Sequence, residues 1–155
     1  METFKQTPNI SKNTIKPIGI VLHHSAGSYL GSVSWCLDPK SKVSYHCIVD
    51  LNGDRTVLAK DNQRAWHAGV SSFNGKKDCN TFMLGIAVSG DTNNRRLTSF
   101  EIDSVAEWCV NKMKVYKFGI EMITTHRFIR KERKNDVSLE AENQIKEKIL
   151  LLLPS

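Results

Sequence analysis

Ile18–Gly27, IGIVLHHSAG, is a short apolar run bounded by Pro17 and Gly27, and it carries two adjacent histidines at its end. Ile18, Ile20, Val21 and Leu22 suit a buried strand rather than a helix, because the run is short and closed by chain-breaking residues on both sides. Successive strand side chains point to opposite faces, so His23 and His24 are not expected to reach one metal together. A second stretch, Thr125–Asp136, THRFIRKERKND, adds His126, a carboxylate ten residues later at Asp136, and Lys134 two residues before it.

Between these stretches the chain alternates strand and helix signals. Tyr29–Leu37 reads as a short helix ended by Asp38, Pro39 and Lys40. Val43–Leu58, VSYHCIVDLNGDRTVL, has the pattern of a hairpin turning through Asn52 and Gly53. Alternation would put Tyr45, Cys47 and Val49 on one face, with His46 and Ile48 on the other. Residues 61–80 are polar and interrupted by glycine, and read as an irregular functional loop carrying Trp66 and His67. Phe82–Asp91 is a further buried strand with its turn at Gly90. Thr98 and Glu101 form a capping box that opens a helix from about Ser99 to Phe118, with Gly119 as its stop. Ile120–His126 returns the chain to the sheet, and Ser138 precedes a last helix reaching Leu152. This order implies an α/β layer architecture. Residues 1–16 read as a polar N-terminal arm and 17–155 as the catalytic domain.

A chain of 155 residues and 17.5 kDa is one domain's worth. Its hydrophobic fraction of 40% and charged fraction of 25% exclude a disordered or fibrous protein. Residues 1–17 lack the apolar core of an export signal, so synthesis in the cytoplasm without a signal peptide is expected. Ile149–Pro154, ILLLLP, is far shorter than the roughly 20 apolar residues of a transmembrane segment, so none is expected. The cysteines, Cys36, Cys47, Cys79 and Cys109, contain no CxxC pair, which points to free thiols. The net charge of +6 favours a polyanionic partner. Without interleaved aromatic and basic residues, no stable nucleic-acid partner is expected.

A catalytic zinc needs three protein ligands and one open position. Two imidazoles, His23 and His126, and the carboxylate of Asp136 would supply them if their strands are neighbours. Such an ion lowers the pKa of water from 15.7 to about 7 and polarises a carbonyl, the chemistry of amide hydrolysis. Lys134, on the same side of an extended segment as Asp136, and Tyr45 are candidates to stabilise the developing oxyanion. Singly, each has a plainer reading: core imidazoles, a helix-entry aspartate, a solvated lysine and a strand tyrosine.

Together LHHSAG, VSYHCIVDLNGDRTVLAKDNQRAWHAG, NTFMLGIAVSGD and HRFIRKERKND resemble the zinc-dependent N-acetylmuramoyl-L-alanine amidases of the phage lysozyme and peptidoglycan-recognition-protein superfamily. The resemblance implies a single α/β domain with a central mixed β-sheet flanked by helices. It puts one zinc ion (Zn2+) on His23, His126 and Asp136, and catalytic roles on Tyr45 and Lys134. It makes His67, Trp66 and Asn80 substrate-groove residues. Some cytosolic members carry a water-activating glutamate where this chain has Ala87, which shifts that work to the metal, Tyr45 and Lys134. The implied reaction is hydrolysis of the amide between N-acetylmuramic acid and L-alanine in bacterial peptidoglycan. A monomeric phage or prophage endolysin that reaches the cell wall after membrane permeabilisation is the expected setting. The alternatives are a non-catalytic peptidoglycan-binding module and a basic phage regulator of a polymerase or nucleic acid.

Overall fold

The computed structural model describes residues 1–154, so the domain boundary placed at Ser155 lies outside the described residues. β3, Gly19–His24, pairs in parallel with β9, Met83–Val88, and on its other side with the edge strand β10, Ile123–Thr125. Beyond β9 lie β4, Cys47–Val49, parallel to it, and β5, Arg55–Val57, antiparallel to β4. The opposite edge is β1, Glu2–Phe4, which runs parallel to β5 and completes a mixed six-stranded sheet ordered β1-β5-β4-β9-β3-β10.

The sheet is covered on both faces, which is why β3 and β9 read as continuous apolar runs rather than alternating ones. Ile20 and Leu22 of β3, with Leu84, Ile86 and Val88 of β9, pack against two helices. These are α2, Ser99–Tyr116, through Val105, Cys109 and Met113, and α4, Leu139–Leu152, through Ile145 and Ile149. Each such buried aliphatic side chain contributes roughly 1.5–3 kcal/mol. On the opposite face, Ile48 and Ala87 pack under Val33 and Cys36 of α1, Tyr29–Leu37, while Val21 and Met83 meet Phe73, Cys79 and Phe82. His23 follows Val21 on this second face. The four cysteines are buried free thiols, as expected.

Three readings of the frame away from the site differ from the structure. Residues 1–16 contribute strands: besides β1, β2 (Ile10–Thr14) pairs antiparallel with β6, Gln63–Ala65. Residues 61–80 therefore hold β6, and also a small hairpin of β7, Ser72–Phe73, and β8, Lys76–Lys77. Buried Thr7 and Asn9 tie the N-terminal segment to the end of α1, with the Asn9 amide donating to the carbonyls of Asp38 at 3.0 Å and Val43 at 2.9 Å. Finally, α2 stops at Tyr116, not at Gly119: Lys117 takes the left-handed cap at φ 59° while Phe118 packs against the core. Lysine can occupy that region at modest cost, and the hydrophobic contact just past the cap offsets it.

Candidate metal centre

Strand ends deliver the site. His23 comes from the C-terminal end of β3, and the parallel pairing of Thr125 with Leu22 brings the next residue, His126, beside it. His126 opens α3, His126–Ile129, a single turn whose N-cap, Thr125, accepts from the Phe128 N–H. From α3 the chain runs through turns over 131–137 and returns Asp136 to the same place. The segment holding Lys134 and Asp136 is thus turned, not extended as expected, because the chain must reverse between α3 and the Ser138 cap of α4.

His23 Nδ1 lies 3.2 Å from His126 Nδ1, and Asp136 Oδ2 stands 3.1 Å from His126 Nδ1 and 3.7 Å from His23 Nδ1. Ligands held about 2.0–2.2 Å from a tetrahedral zinc ion stand about 3.3–3.6 Å apart, so the spacing fits. The proton inventory fits as well. His126 Nε2 is 2.9 Å from the Ala68 carbonyl, which can only accept, so that nitrogen carries the proton and Nδ1 the lone pair. His23 Nε2 faces His67 Nδ1 at 3.0 Å, and His67 Nε2 is committed to the Met83 carbonyl at 3.0 Å, so His23 also donates through Nε2. Burial lowers the His23 pKa to about 4, keeping that ring neutral. Two lone pairs and a carboxylate oxygen therefore converge with no proton to share when the rings are neutral, an arrangement a cation relieves. Asp136 Oδ1 is held by the His24 backbone N–H at 2.6 Å.

His24 itself turns away to Thr92, with its Nδ1 2.8 Å from Oγ1, so the two neighbouring histidines do part company. Tyr45 packs on His23 with ring centroids 5.1 Å apart and borders the cleft, whereas His46 is buried behind the sheet surface. The regular strand begins only at Cys47, so Tyr45 joins the α1-side cluster with Ile48 instead of following Cys47 as alternation suggested. Burial, and then the Asp136 charge, raise the Tyr45 pKa, leaving a neutral hydroxyl. Lys134 is exposed at the rim.

The cleft above these groups, about 880 Å³, carries Lys42, Arg130, Arg133 and Lys134 around its mouth, with Trp35 and Trp66 on its walls. Trp66 is anchored by Nε1 donating to Ser11 Oγ at 2.8 Å. His67 and Asn80 border the cleft but are buried, and both ring nitrogens of His67 and the side-chain oxygen of Asn80 bond within the protein. Ala87 sits in register with His23, fully buried, so no carboxylate occupies that strand position. The residues that sequence reasoning missed are Trp35, an exposed tryptophan on α1, and Ala68, which acts through a backbone carbonyl and leaves no signal in its side chain.

Residues 13–138 match the family described as N-acetylmuramoyl-L-alanine amidase. The 1,6-anhydro-N-acetylmuramyl-L-alanine amidase AmpD of Haemophilus influenzae is 34% identical over 148 residues, covering 86% of this chain and 80% of that protein. The AmpD of Citrobacter freundii is 34% identical over 95 residues, or 61% of this chain and half of that protein. Among solved structures, a selenomethionine AmpD derivative superposes with a TM-score of 0.78 at 23% identity, covering 94% and 93% of the two chains. AmiD from E. coli, solved with anhydro-N-acetylmuramic acid-L-Ala-D-γ-Glu-L-Lys, superposes at 0.73 with 19% identity, covering 90% of this chain and 60% of that one. These two share the fold. The matched span, the identity to a relative covered over most of its length, and the converging histidines and aspartate agree: the chain belongs to the N-acetylmuramoyl-L-alanine amidase family.

Proposed function

We propose that this protein is a zinc-dependent amidase that cleaves the bond between the N-acetylmuramic acid lactyl group and L-alanine, with 1,6-anhydro muramyl peptides as its preferred substrates. The observation that carries the reading is the convergence of His23 Nδ1, His126 Nδ1 and Asp136 Oδ2 at 3.1–3.7 Å, each as an acceptor. Bound there, zinc supplies Lewis acidity toward the scissile carbonyl and toward water.

The rest is the work of the chain's own groups. Tyr45, neutral and packed on His23, donates a hydrogen bond to the developing oxyanion, and the Lys134 ammonium adds charge at the rim. Lys42, Arg130 and Arg133 suit the carboxylates of a stem peptide, and Trp35 offers a face to the sugar. Trp66, His67 and Asn80 form the wall and floor of the groove. The anhydro form is favoured because the AmpD relatives, each 34% identical over the matched residues, are 1,6-anhydro amidases. An endolysin acting on intact wall is the second reading, favoured by the net charge of +6, which attracts an acidic polymer. In both readings the protein works as a monomer, and no helix among the described residues is long and apolar enough to cross a membrane.

The test incubates the zinc-loaded protein, with and without a chelator, with an anhydro-muramyl tripeptide and separately with purified sacculi, and reads released alanine amino termini by mass spectrometry. Chelator-sensitive release, faster from the soluble anhydro peptide, is expected. Release from sacculi alone would favour the endolysin. Binding without release from either substrate would leave a recognition module and sink the amidase reading.

A further inference from the structure

We propose that the dipeptide His67–Ala68, pinned by Asn80, is the positioning support that holds both imidazole ligands in the tautomer and orientation a metal requires. The inference rests on reading His23, His126 and Asp136 as a zinc centre. His67 accepts the His23 Nε2–H at 3.0 Å, and the next carbonyl, that of Ala68, accepts the His126 Nε2–H at 2.9 Å. Two ligands that lie 103 residues apart in the chain are thus steered by consecutive residues of one segment.

That segment is itself fixed. Asn80 Oδ1 accepts both the His67 N–H at 3.1 Å and the Ala68 N–H at 2.9 Å, so one side-chain oxygen locks the backbone that serves both rings. His67 Nε2 donates to the Met83 carbonyl on β9, which leaves its Nδ1 only an acceptor's role. The ring lies so close over β9 that a Cβ at Gly85 would come within 2.5 Å of His67 Cγ and 2.7 Å of its Nδ1. Glycine is needed there for the approach, not for its torsion angles. His67 and the Asn80 oxygen therefore act through the ligands: both ring nitrogens of His67 are engaged inside the protein, and the shared oxygen of Asn80 is engaged by two amides.

The test measures zinc affinity by competition with a chromophoric chelator, with fold monitored by circular dichroism. His67→Phe keeps a ring and removes the acceptor, and Asn80→Ala removes the pin. Each is expected to weaken zinc binding by about 10–100-fold, the scale for losing an outer partner of a ligating histidine. Asn80→Asp keeps the accepting oxygen and should recover most of the affinity, whereas Asn80→Leu keeps a side chain of similar volume without an acceptor and should not; recovery in Asn80→Leu as well would reduce Asn80 to a space-filling role and overturn its part in the inference. Long-range 1H–15N spectra of the zinc-loaded wild type should show His23 and His126 protonated at Nε2, a readout that holds even if His67→Phe does not fold. Wild-type zinc affinity in folded His67→Phe or in Asn80→Ala, or a proton on Nδ1 of either ligand, would overturn the inference. Failure of the wild type to bind zinc would instead overturn the zinc reading beneath it.

Discussion

Acidification should weaken this fold through a histidine that takes no part in the chemistry. His46 is fully buried, its Nδ1 accepting from the Gly85 N–H at 3.0 Å and its Nε2–H donating to the Gln63 carbonyl at 2.8 Å. Burial lowers its pKa from 6.5 to about 4. In the unfolded chain the ring takes a proton once the pH falls below 6.5, whereas in the folded protein it resists until about 4. The unfolded state thus binds more protons between those values, so stability is lost as pH falls across that window and levels off below it. Between about pH 7 and pH 4.5 the loss from this one residue is about 2.5 kcal/mol, or about 5–10 °C of melting temperature for a domain of this size. His46→Gln retains an acceptor for Gly85 and a donor for Gln63 but does not titrate. Thermal melts of both proteins in chelator, at the two pH values, trace the difference to the one imidazole that the variant lacks. The wild type should lose those additional degrees relative to the variant. Equal losses within about 1 °C would show that His46 is not held neutral by the fold and refute the reasoning.

Lys134→Ala should retain stoichiometric zinc but lower kcat by about two to three orders of magnitude, the scale of losing one oxyanion partner, and wild-type turnover would remove Lys134 from the mechanism. His126→Ala should abolish both zinc, read by elemental analysis, and activity; full occupancy in the variant would mean that this histidine is not a ligand. Arg95→Ala tests the frame rather than the site. Arg95 grips the fully buried Glu101 carboxylate with bonds of 2.8 and 2.6 Å, and Glu101 in turn completes the capping box of α2. Removing the guanidinium strands a buried charge, which should cost about 3 kcal/mol and lower the melting temperature by about 6–12 °C with kcat/KM of the folded protein intact. A loss under about 1 kcal/mol would show that Glu101 is adequately served by the Thr98 N–H alone.

What the sequence made legible is what apolar burial and local capping encode. The β3 and β9 runs, the Thr98–Glu101 box and the hairpin through Asn52–Gly53 each leave a local mark, and each forms where expected. β1 and β2 left none, since an exposed edge pairs through backbone groups and leaves its side chains free to be polar. The end of α2 misled for a related reason: glycine is the usual left-handed cap, yet Lys117 takes the position because the contact of Phe118 favours stopping there. The candidate ligands were picked out as two histidines at strand ends and a loop carboxylate, and the resemblance of ordered motifs is what set them above the plainer reading that each residue has alone. Which nitrogen each ring presents was beyond any sequence reading, since it is decided by the carbonyls of Ala68 and Met83.

Ala87 shows how a substitution of one strand residue redistributes work in the proposed mechanism. It lies beside His23 in the β3–β9 register and packs with Val33, Cys36, Ile48 and Leu58 beneath α1. A carboxylate there would need a charge or donor to compensate its burial, and the buried members of this cluster are aliphatic groups and a thiol whose pKa is raised to about 11 by burial, with Tyr29, its hydroxyl bonded to Thr56, and Tyr45 packed against them. The shelf under the site is therefore apolar by construction. Asp136, the carboxylate closest to hand, has one oxygen held by the His24 N–H and the other directed at the two imidazoles, so it is not free to serve as a base. On the proposed reading, proton handling on the protein side then falls to the Tyr45 hydroxyl and the rim around Lys134, which is why the Lys134→Ala variant is expected to lose turnover and not metal.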